Sequence, residues 1–368
     1  MNHIRYILFA PLFMLGACSS GTWEDIEQPK PEEMEEEFSN VSFSAGMNQG
    51  QEGDGDTPYF RNGDEIRIST PSSYATPDFD KTGGYYTYVY SEKKDDEYPY
   101  KFEEKVKGSG FDWRTLQPTS IYYFFEAMYF PGEGHQYYKD VPYRQDSVAN
   151  YLKADLLLAH HRVPISERGN NVQLVFHHAF AMVEVEVTLP EAETPIDGVF
   201  PRDAMEKVYM RDMLITYDVN YAEVISNDGL RTTRGLLEDD GGTRQNVTMY
   251  RDKLEDKRKR DANNDKIIHH TYIYRGIVPA QAFDGAHNGA DFLYFMVKEN
   301  NGSDKLTKYR FTPNKSLTLN SSTKLKLRLT IQKGDQEAAL LRTEIQPWSN
   351  ANANILAEKQ DKTNDTNR

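Results

Sequence analysis

The run Ala181-Met-Val-Glu-Val-Glu-Val-Thr-Leu189 constrains the fold more than any other segment of the chain. Apolar and polar residues alternate there at strict period two. Successive side chains of a β-strand point to opposite faces, so Val183, Val185, Val187 and Leu189 share one face and Glu184 and Glu186 the other. A helix would scatter the same residues around its circumference. The segment reads as a strand, and its apolar face requires a second layer to pack against.

Shorter runs repeat the signal. Val41-Ser-Phe-Ser-Ala45 and Ile66-Arg-Ile68 alternate, and Tyr85 to Tyr90 and Ile121 to Phe125 are aromatic runs suited to a pleated surface. Val172 to Phe176 leads into the valine-rich strand. A second series follows it: Val208 to Leu214, Tyr217 to Ile225, Val247 to Tyr250, Ile267 to Val278, Phe292 to Val297, Tyr309 to Phe311 and Leu325 to Ile331. Turn signals such as Asn62-Gly63-Asp64, Gly83-Gly84 and Pro131-Gly132 separate the runs. Ser147 to Leu158 reads as a short helix, and the mixed-charge run Arg251 to Arg260 as an exposed loop, with a protease-sensitive site as the alternative. A Pro- and acid-rich joint follows Pro190 and extends to Pro201. The chain is therefore expected to be all-β, with two tandem β-sandwich domains at 38–190 and 191–349 and a polar tail at 350–368.

The N-terminus carries a different kind of information. Arg5 is followed by a short apolar core, Ile7 to Leu15, and by Leu15-Gly16-Ala17-Cys18. The core is too short for a permanent membrane span, and no later apolar run reaches that length. Small residues directly before a cysteine resemble a bacterial lipobox. On that resemblance residues 1–17 are a lipoprotein signal peptide cut between Ala17 and Cys18, and Cys18 is the lipid attachment site. Cys18 is the sole cysteine of the 368 residues, so once acylated it leaves no thiol for a disulfide, a Cys-based zinc site or a catalytic nucleophile. Residues 18–37 follow as an acidic tether, dense in glutamate and interrupted by Pro29 and Pro31. Acidic residues soon after a lipidated cysteine resemble the surface-export signal of Bacteroidetes lipoproteins, although Glu24 and Asp25 stand a few positions further from Cys18 than that pattern places them. The net charge of −14 argues against nucleic acid as a partner, because a phosphate backbone needs a basic face.

Candidate chemistry is sparse. Three adjacent histidine pairs, His160-His161, His177-His178 and His269-His270, fall in strand-like runs, where neighbours face opposite ways and cannot chelate one metal. Asp261-Ala-Asn-Asn-Asp265 begins like a calcium loop, but Lys266 stands where glycine is needed and Tyr272 where the bidentate glutamate belongs. No hydrolase elbow, phosphate loop, dinucleotide fingerprint or HExxH is present. The expectation is no enzyme, no catalytic residues, no metal and no cofactor. The 24 Tyr and 18 Phe fall within alternating strands, which points to core and half-buried sheet faces.

Several segments in order carry a family resemblance: Val41-Ser-Phe-Ser-Ala-Gly46, Asn62-Gly-Asp-Glu-Ile-Arg-Ile68, the aromatic strand Ile121 to Phe130, Lys153-Ala-Asp-Leu-Leu-Leu-Ala159, Val172-Gln-Leu-Val-Phe-His-His-Ala179, Tyr274-Arg-Gly-Ile-Val-Pro-Ala-Gln281 and Ile345-Gln-Pro-Trp348. Together with the lipobox and acidic tether they resemble the fimbrillin (Mfa-like) family of Bacteroidales type V fimbriae, over roughly Val41 to Trp348. The resemblance implies two transthyretin-like β-sandwich domains, an outer-membrane, surface-exposed location, and assembly with other fimbrial subunits. It implies that an arginine-specific protease removes the first strand and that a neighbouring subunit's strand refills the groove, by β-augmentation. The first arginine after Cys18 is Arg61, so the candidate scissile bond is Arg61–Asn62 and the candidate displaced strand carries Val41, Phe43 and Ala45. A donor strand needs alternating apolar side chains near the C-terminus, and after Trp348 the chain offers Ile355 and Leu356 alone. This favours an anchor or tip over a stalk subunit, with a host or bacterial surface ligand as a further partner. The rival reading is a glycan-binding outer-membrane lipoprotein of a saccharide-uptake system, which would gather exposed aromatics on one face.

Overall fold

The computed structural model describes residues 40–47, 60–70, 85–91, 101–118, 121–130, 140–220, 232–235, 241–284, 289–302 and 304–348. The signal peptide, Cys18, the acidic tether and the polar tail lie outside these residues. Among the described residues no helix is long and apolar enough to cross a membrane.

The N-terminal half contributes β1 (Phe43–Met47), β2 (Glu65–Ser69), β3 (Tyr85–Tyr90), β4 (Lys101–Glu104), β5 (Tyr122–Tyr129), β6 (Leu157–Pro164) and β7 (Val172–His178). They are hydrogen-bonded in the order β1-β4-β3-β2-β5-β6-β7, and β7 pairs back onto β1. The expected sandwich of two facing sheets is here a closed barrel. Closure follows from β1, which bonds along both of its edges and so joins two strands that would otherwise be sheet edges. Inward-facing residues fill the interior, among them Phe43, Ile66, Ile68, Phe125, Leu174 and Phe176, all with no exposed area.

The expected helix is present in shortened form as α1 (Val148–Lys153), with Ser147 as its N-cap accepting the N–H of Asn150. Its predicted continuation, Leu157–Leu158, belongs to β6, because Leu157 and Leu158 pair with Tyr129 and Met128 of β5.

The C-terminal half runs through β8 (Ala181–Ala192), β9 (Phe200–Pro201), β10 (Met205–Leu214), β11 (Tyr217–Asn220), β12 (Thr232–Gly235), β13 (Arg244–Thr248), β14 (Tyr250–Arg260), β15 (Ile268–Val278), β16 (Gln281–Phe283), β17 (Leu293–Lys298), β18 (Leu306–Phe311), β19 (Leu317–Leu319), β20 (Thr323–Thr330) and β21 (Ala339–Pro347). One sheet has the order β14-β15-β8-β20-β21, with β9 beside β8, and a second has the order β13-β10-β17-β18. Val183, Val185 and Val187 from β8 share a core with Val208 of β10, Phe295 of β17 and Tyr309 of β18, so the two sheets face each other as a sandwich. The valine-rich run is thus the centre of the second sheet. The crossover from one strand system to the other falls at Ala179–Phe180, ahead of the Pro190–Pro201 joint that the sequence suggests.

The Arg251–Arg260 run, read as an exposed loop, is strand β14. It pairs with β15 from Tyr250↔Arg275 to Arg260↔Ile268, with a register shift between Asp252 and Lys257. Main-chain ladder bonds need no apolar alternation, and at the sheet edge the charged side chains discourage further pairing. A third core joins barrel and sandwich, with Met128, Tyr151 and Leu158 packed alongside Phe180, Ile277 and Trp348. Trp348 stacks on His178 with ring centroids 3.7 Å apart, and the buried carboxylate of Asp155 lies 2.8 Å from His178 Nδ1.

Candidate functional site at the first strand

β1 is the strand the sequence singles out, and the structure places it in the barrel seam. It runs parallel to β7, in register from Phe43↔Val172 to Met47↔Phe176, and antiparallel to β4 through Phe43↔Phe102 and Ser44↔Lys101. The residues just before it are tied in as well. Val41 N–H donates to Phe111 O at 2.9 Å, Val172 N–H to Ser42 O at 2.8 Å, and Asn171 Nδ2 to Ser44 Oγ at 2.7 Å.

Val41, Phe43 and Ala45 all point into the barrel core, as their spacing of two requires. Phe43 is the central plug. Its ring meets Tyr88 at 4.8 Å, Phe125 at 5.2 Å and Phe111 at 6.2 Å between centroids, each edge-on. Tyr88 in turn accepts the N–H of Phe111, and burial pushes its phenol well above the ordinary range. The pocket that holds Phe43 is therefore built by three separate segments of chain.

Arg61 and Asn62 sit in a tight turn rather than in an open loop. Asp64 N–H donates to Arg61 O at 2.9 Å, and Gly63 adopts a φ of +90°, which glycine reaches without steric cost. The Asp64 carboxylate accepts Arg61 N–H and the Tyr129 hydroxyl, both at 2.7 Å. Burial, with the Asp64 charge beside it, raises the Tyr129 phenol well above its usual range. Arg61 is half-buried, while Asn62 is exposed. The preceding residue, Phe60, is a second plug that the sequence reading missed. It is buried among Tyr129, Phe102 and Phe176 at 5.0, 5.2 and 5.7 Å. An aromatic directly before the arginine was its one sequence signal. The two described ends of the segment Gly46–Asp64 are held by the β1 ladder and by the Arg61–Asp64 turn; residues 48–59 lie outside the described residues. Cys18 and Ala17 do as well.

The remaining polar features do structural work. Glu184 and Glu186, on the face of β8 opposite the valines, are buried in a cluster of cations. Arg275 Nε and Lys326 Nζ each lie 2.9 Å from Glu184, and Lys326 and Arg328 lie 2.5 and 2.9 Å from Glu186. Burial alone would raise the Glu184 pKa, but Arg275, Lys324 and Lys326 together outweigh it and bring it down to about 2. The Asp261 carboxylate is engaged by the N–H groups of Asn263 and Asn264 and by His269, which makes the segment a hairpin tip. Of the paired histidines, His178 and His270 are buried while His177 and His269 are half-buried, as strand alternation dictates. Burial, with His178 adjacent, lowers the His177 pKa to about 4. Among the described residues no three His, Cys, Asp or Glu side chains gather where they could hold a metal ion. The exposed aromatics among them are Tyr86, edge-on to Phe111, and Tyr143, beside the Arg144 guanidinium.

No known family profile matches the sequence, and no curated protein matches it. Solved structures do match. A candidate cell adhesion protein from Bacteroides uniformis superposes with a TM-score of 0.51 at 17% identity, covering 84% of this chain and 98% of its own. A second candidate cell adhesion protein, from Bacteroides ovatus, gives 0.47 at 12% identity over 84% of this chain and 98% of its own. The tip fimbrial protein Mfa3 from Porphyromonas gingivalis, truncated at its C-terminus, gives 0.34 at 9% identity over 84% and 98%. The first of these establishes a shared fold.

Proposed function

We propose that this chain is a fimbrillin-type adhesive surface subunit in which β1 is a replaceable strand. The observation that carries the reading is the position of β1. It precedes every other described strand in the chain, fills the seam between β4 and β7, and is followed by a turn containing the first arginine after Cys18. Cutting Arg61–Asn62 separates β1 and Phe60 from the rest of the chain while β2 to β7 remain covalently continuous. Loss of β1 removes the partners of those main-chain groups of β7 and β4 that face the seam, above a groove lined by Tyr88, Phe111 and Phe125. An extended strand with apolar residues at alternate positions completes both the ladder and the core.

The sequence resemblance to fimbrillins and the fold shared with the Bacteroides uniformis protein support the same reading. In this account Cys18 holds the precursor to the outer membrane by lipid, and other fimbrial subunits provide the replacement strand. Because residues beyond Trp348 contain little apolar alternation, the chain acts as a terminal subunit, an anchor or a tip. The test is intact-mass analysis and N-terminal sequencing of protein recovered from native membranes, with and without the arginine-specific protease. Subunits beginning at Asn62 in the presence of protease support strand release. Subunits that all begin at Cys18 in assembled fimbriae contradict it and leave a surface lipoprotein with a permanently closed barrel.

A further inference from the structure

The run Lys257-Arg-Lys-Arg260 closes β14, the edge strand of the sheet β14-β15-β8-β20-β21. Strand alternation divides it between two faces. Lys257 and Lys259 lie opposite Thr271 and His269 of β15, and Lys257 Nζ reaches Glu186 at 3.3 Å. Arg258 and Arg260 lie opposite His270 and Ile268 on the other face. Two residues apart in a strand, they are spaced by about 6.8 Å. Arg258, Lys259, Arg260 and, beside the hairpin tip, Lys266 are exposed, and none of the four forms a salt bridge with a described residue.

On the face of the two arginines the surface dips into a cavity of about 110 Å³. That is several water volumes, and so room for one carboxylate or sulfate group. Ala192 and Ile268 give it an apolar wall, Arg202 and Arg258 line it, and the buried His270 and Glu191 supply its inner polar lining. Both of its acids have partners. Glu193 accepts Arg202 Nη1–H at 2.8 Å, and Glu191 accepts the Tyr272 hydroxyl and Asp203 N–H. Arg258 Nε–H donates to His270 Nε2 at 3.3 Å, which orients the guanidinium. Its terminal amino groups make no hydrogen bond to a described residue. A guanidinium held in this way presents two parallel donors that match an oxyanion.

We propose that this edge binds an acidic polysaccharide, one whose sugars carry carboxylate or sulfate groups. Arg258 takes one such group in the cavity, Arg260 takes the next along the strand, and Lys259 and Lys266 add to the attractive field. Protection of a sheet edge against strand pairing works with charges of either sign. Four successive cations, in a chain with 57 acidic and 43 basic residues, instead select for an anion. Single-stranded nucleic acid would call for aromatic rings on which its bases stack, and no aromatic side chain other than the buried His270 lines the cavity. The inference does not rest on the strand-release reading, since β14 lies in the other half of the chain.

Fluorescence anisotropy of labelled heparin and of labelled polygalacturonate, titrated with the full chain carrying Cys18→Ser, tests it. Neutral dextran and a DNA single strand serve as comparisons. The expected result is saturable binding to one or both acidic polymers and none to dextran, weakening as salt rises because each contact releases counterions. Arg258→Gln with Arg260→Gln lowers the affinity about tenfold or more. Lys207→Gln with Lys308→Gln, which removes two exposed cations of the four-stranded sheet, changes it by less than about twofold. Arg258→Lys, which keeps the charge and loses the fork, weakens binding more than Arg260→Lys. Binding to neither acidic polymer overturns the inference, as does equal loss from the two double variants. A DNA strand bound as tightly overturns the assignment to polysaccharide, and equal effects of Arg258→Lys and Arg260→Lys overturn the role given to the cavity. Circular dichroism of each variant confirms that the fold is retained.

Discussion

Replacing Phe43 by alanine tests how much of the barrel depends on its first strand. The side chain has no exposed area and touches three aromatic rings that come from β3, from β5 and from the segment containing Phe111. Truncating a buried Phe costs about 3–5 kcal/mol, the larger values arising where the surroundings cannot collapse into the cavity. Rings held by three separate segments collapse poorly, so the expected loss is about 4 kcal/mol. Urea unfolding followed by Trp113 fluorescence reads it directly, because Trp113 shares this core and its ring lies 5.8 Å from that of Phe125. The same number has a second consequence. A peptide spanning β1, offered to a chain from which the natural strand has been removed, loses roughly a thousand-fold in affinity when its Phe43 position is alanine, since about 1.4 kcal/mol is tenfold. A loss below ~1 kcal/mol in the intact chain would refute the claim that Phe43 is the plug of the groove.

Other consequences are equally open to measurement. Arg61→Gln leaves the N-terminal segment attached after exposure to an arginine-specific protease, whereas Asp64→Ala, which removes the acceptor of Arg61 N–H and of the Tyr129 hydroxyl, speeds cleavage; both are read by mass spectrometry over time. Glu184 has its pKa lowered from its ordinary value to about 2 in the folded chain, so its contribution is fully present above the unfolded value and fades as pH falls toward about 2. That contribution is on the order of 3 kcal/mol, and Glu184→Gln flattens the acid limb of a stability–pH curve through this window. The fully buried Gln145 donates to Pro142 O and Ile277 O and accepts Ile277 N–H, and Gln145→Ala costs about 1–3 kcal/mol in urea melts by leaving that backbone unsatisfied.

What was legible in the sequence was the local pattern. The alternation of β8 fixed which residues enter the core, and the spacing of Val41, Phe43 and Ala45 did the same for β1. What was not legible depends on partners far away in the chain. Barrel closure requires β1 to lie parallel to β7, more than a hundred residues on, and nothing local in either strand specifies that pairing. Glu184 and Glu186 read as a polar face; their burial depends on cations contributed by β15 and β20. The Arg251–Arg260 run lacks apolar periodicity because an edge strand can be held by main-chain bonds alone.

The central claim is that the seam occupied by β1 accepts a strand in trans. The most direct measurement is fluorescence anisotropy of a labelled peptide spanning Asn40–Met47, titrated with the chain cut at Arg61 and freed of its N-terminal segment. The account predicts saturable one-to-one binding to the cut chain, none to the uncut chain, and loss of binding when the Phe43 position is aspartate. A folded cut chain that ignores the peptide, or an intact chain that binds it equally well, would contradict the account.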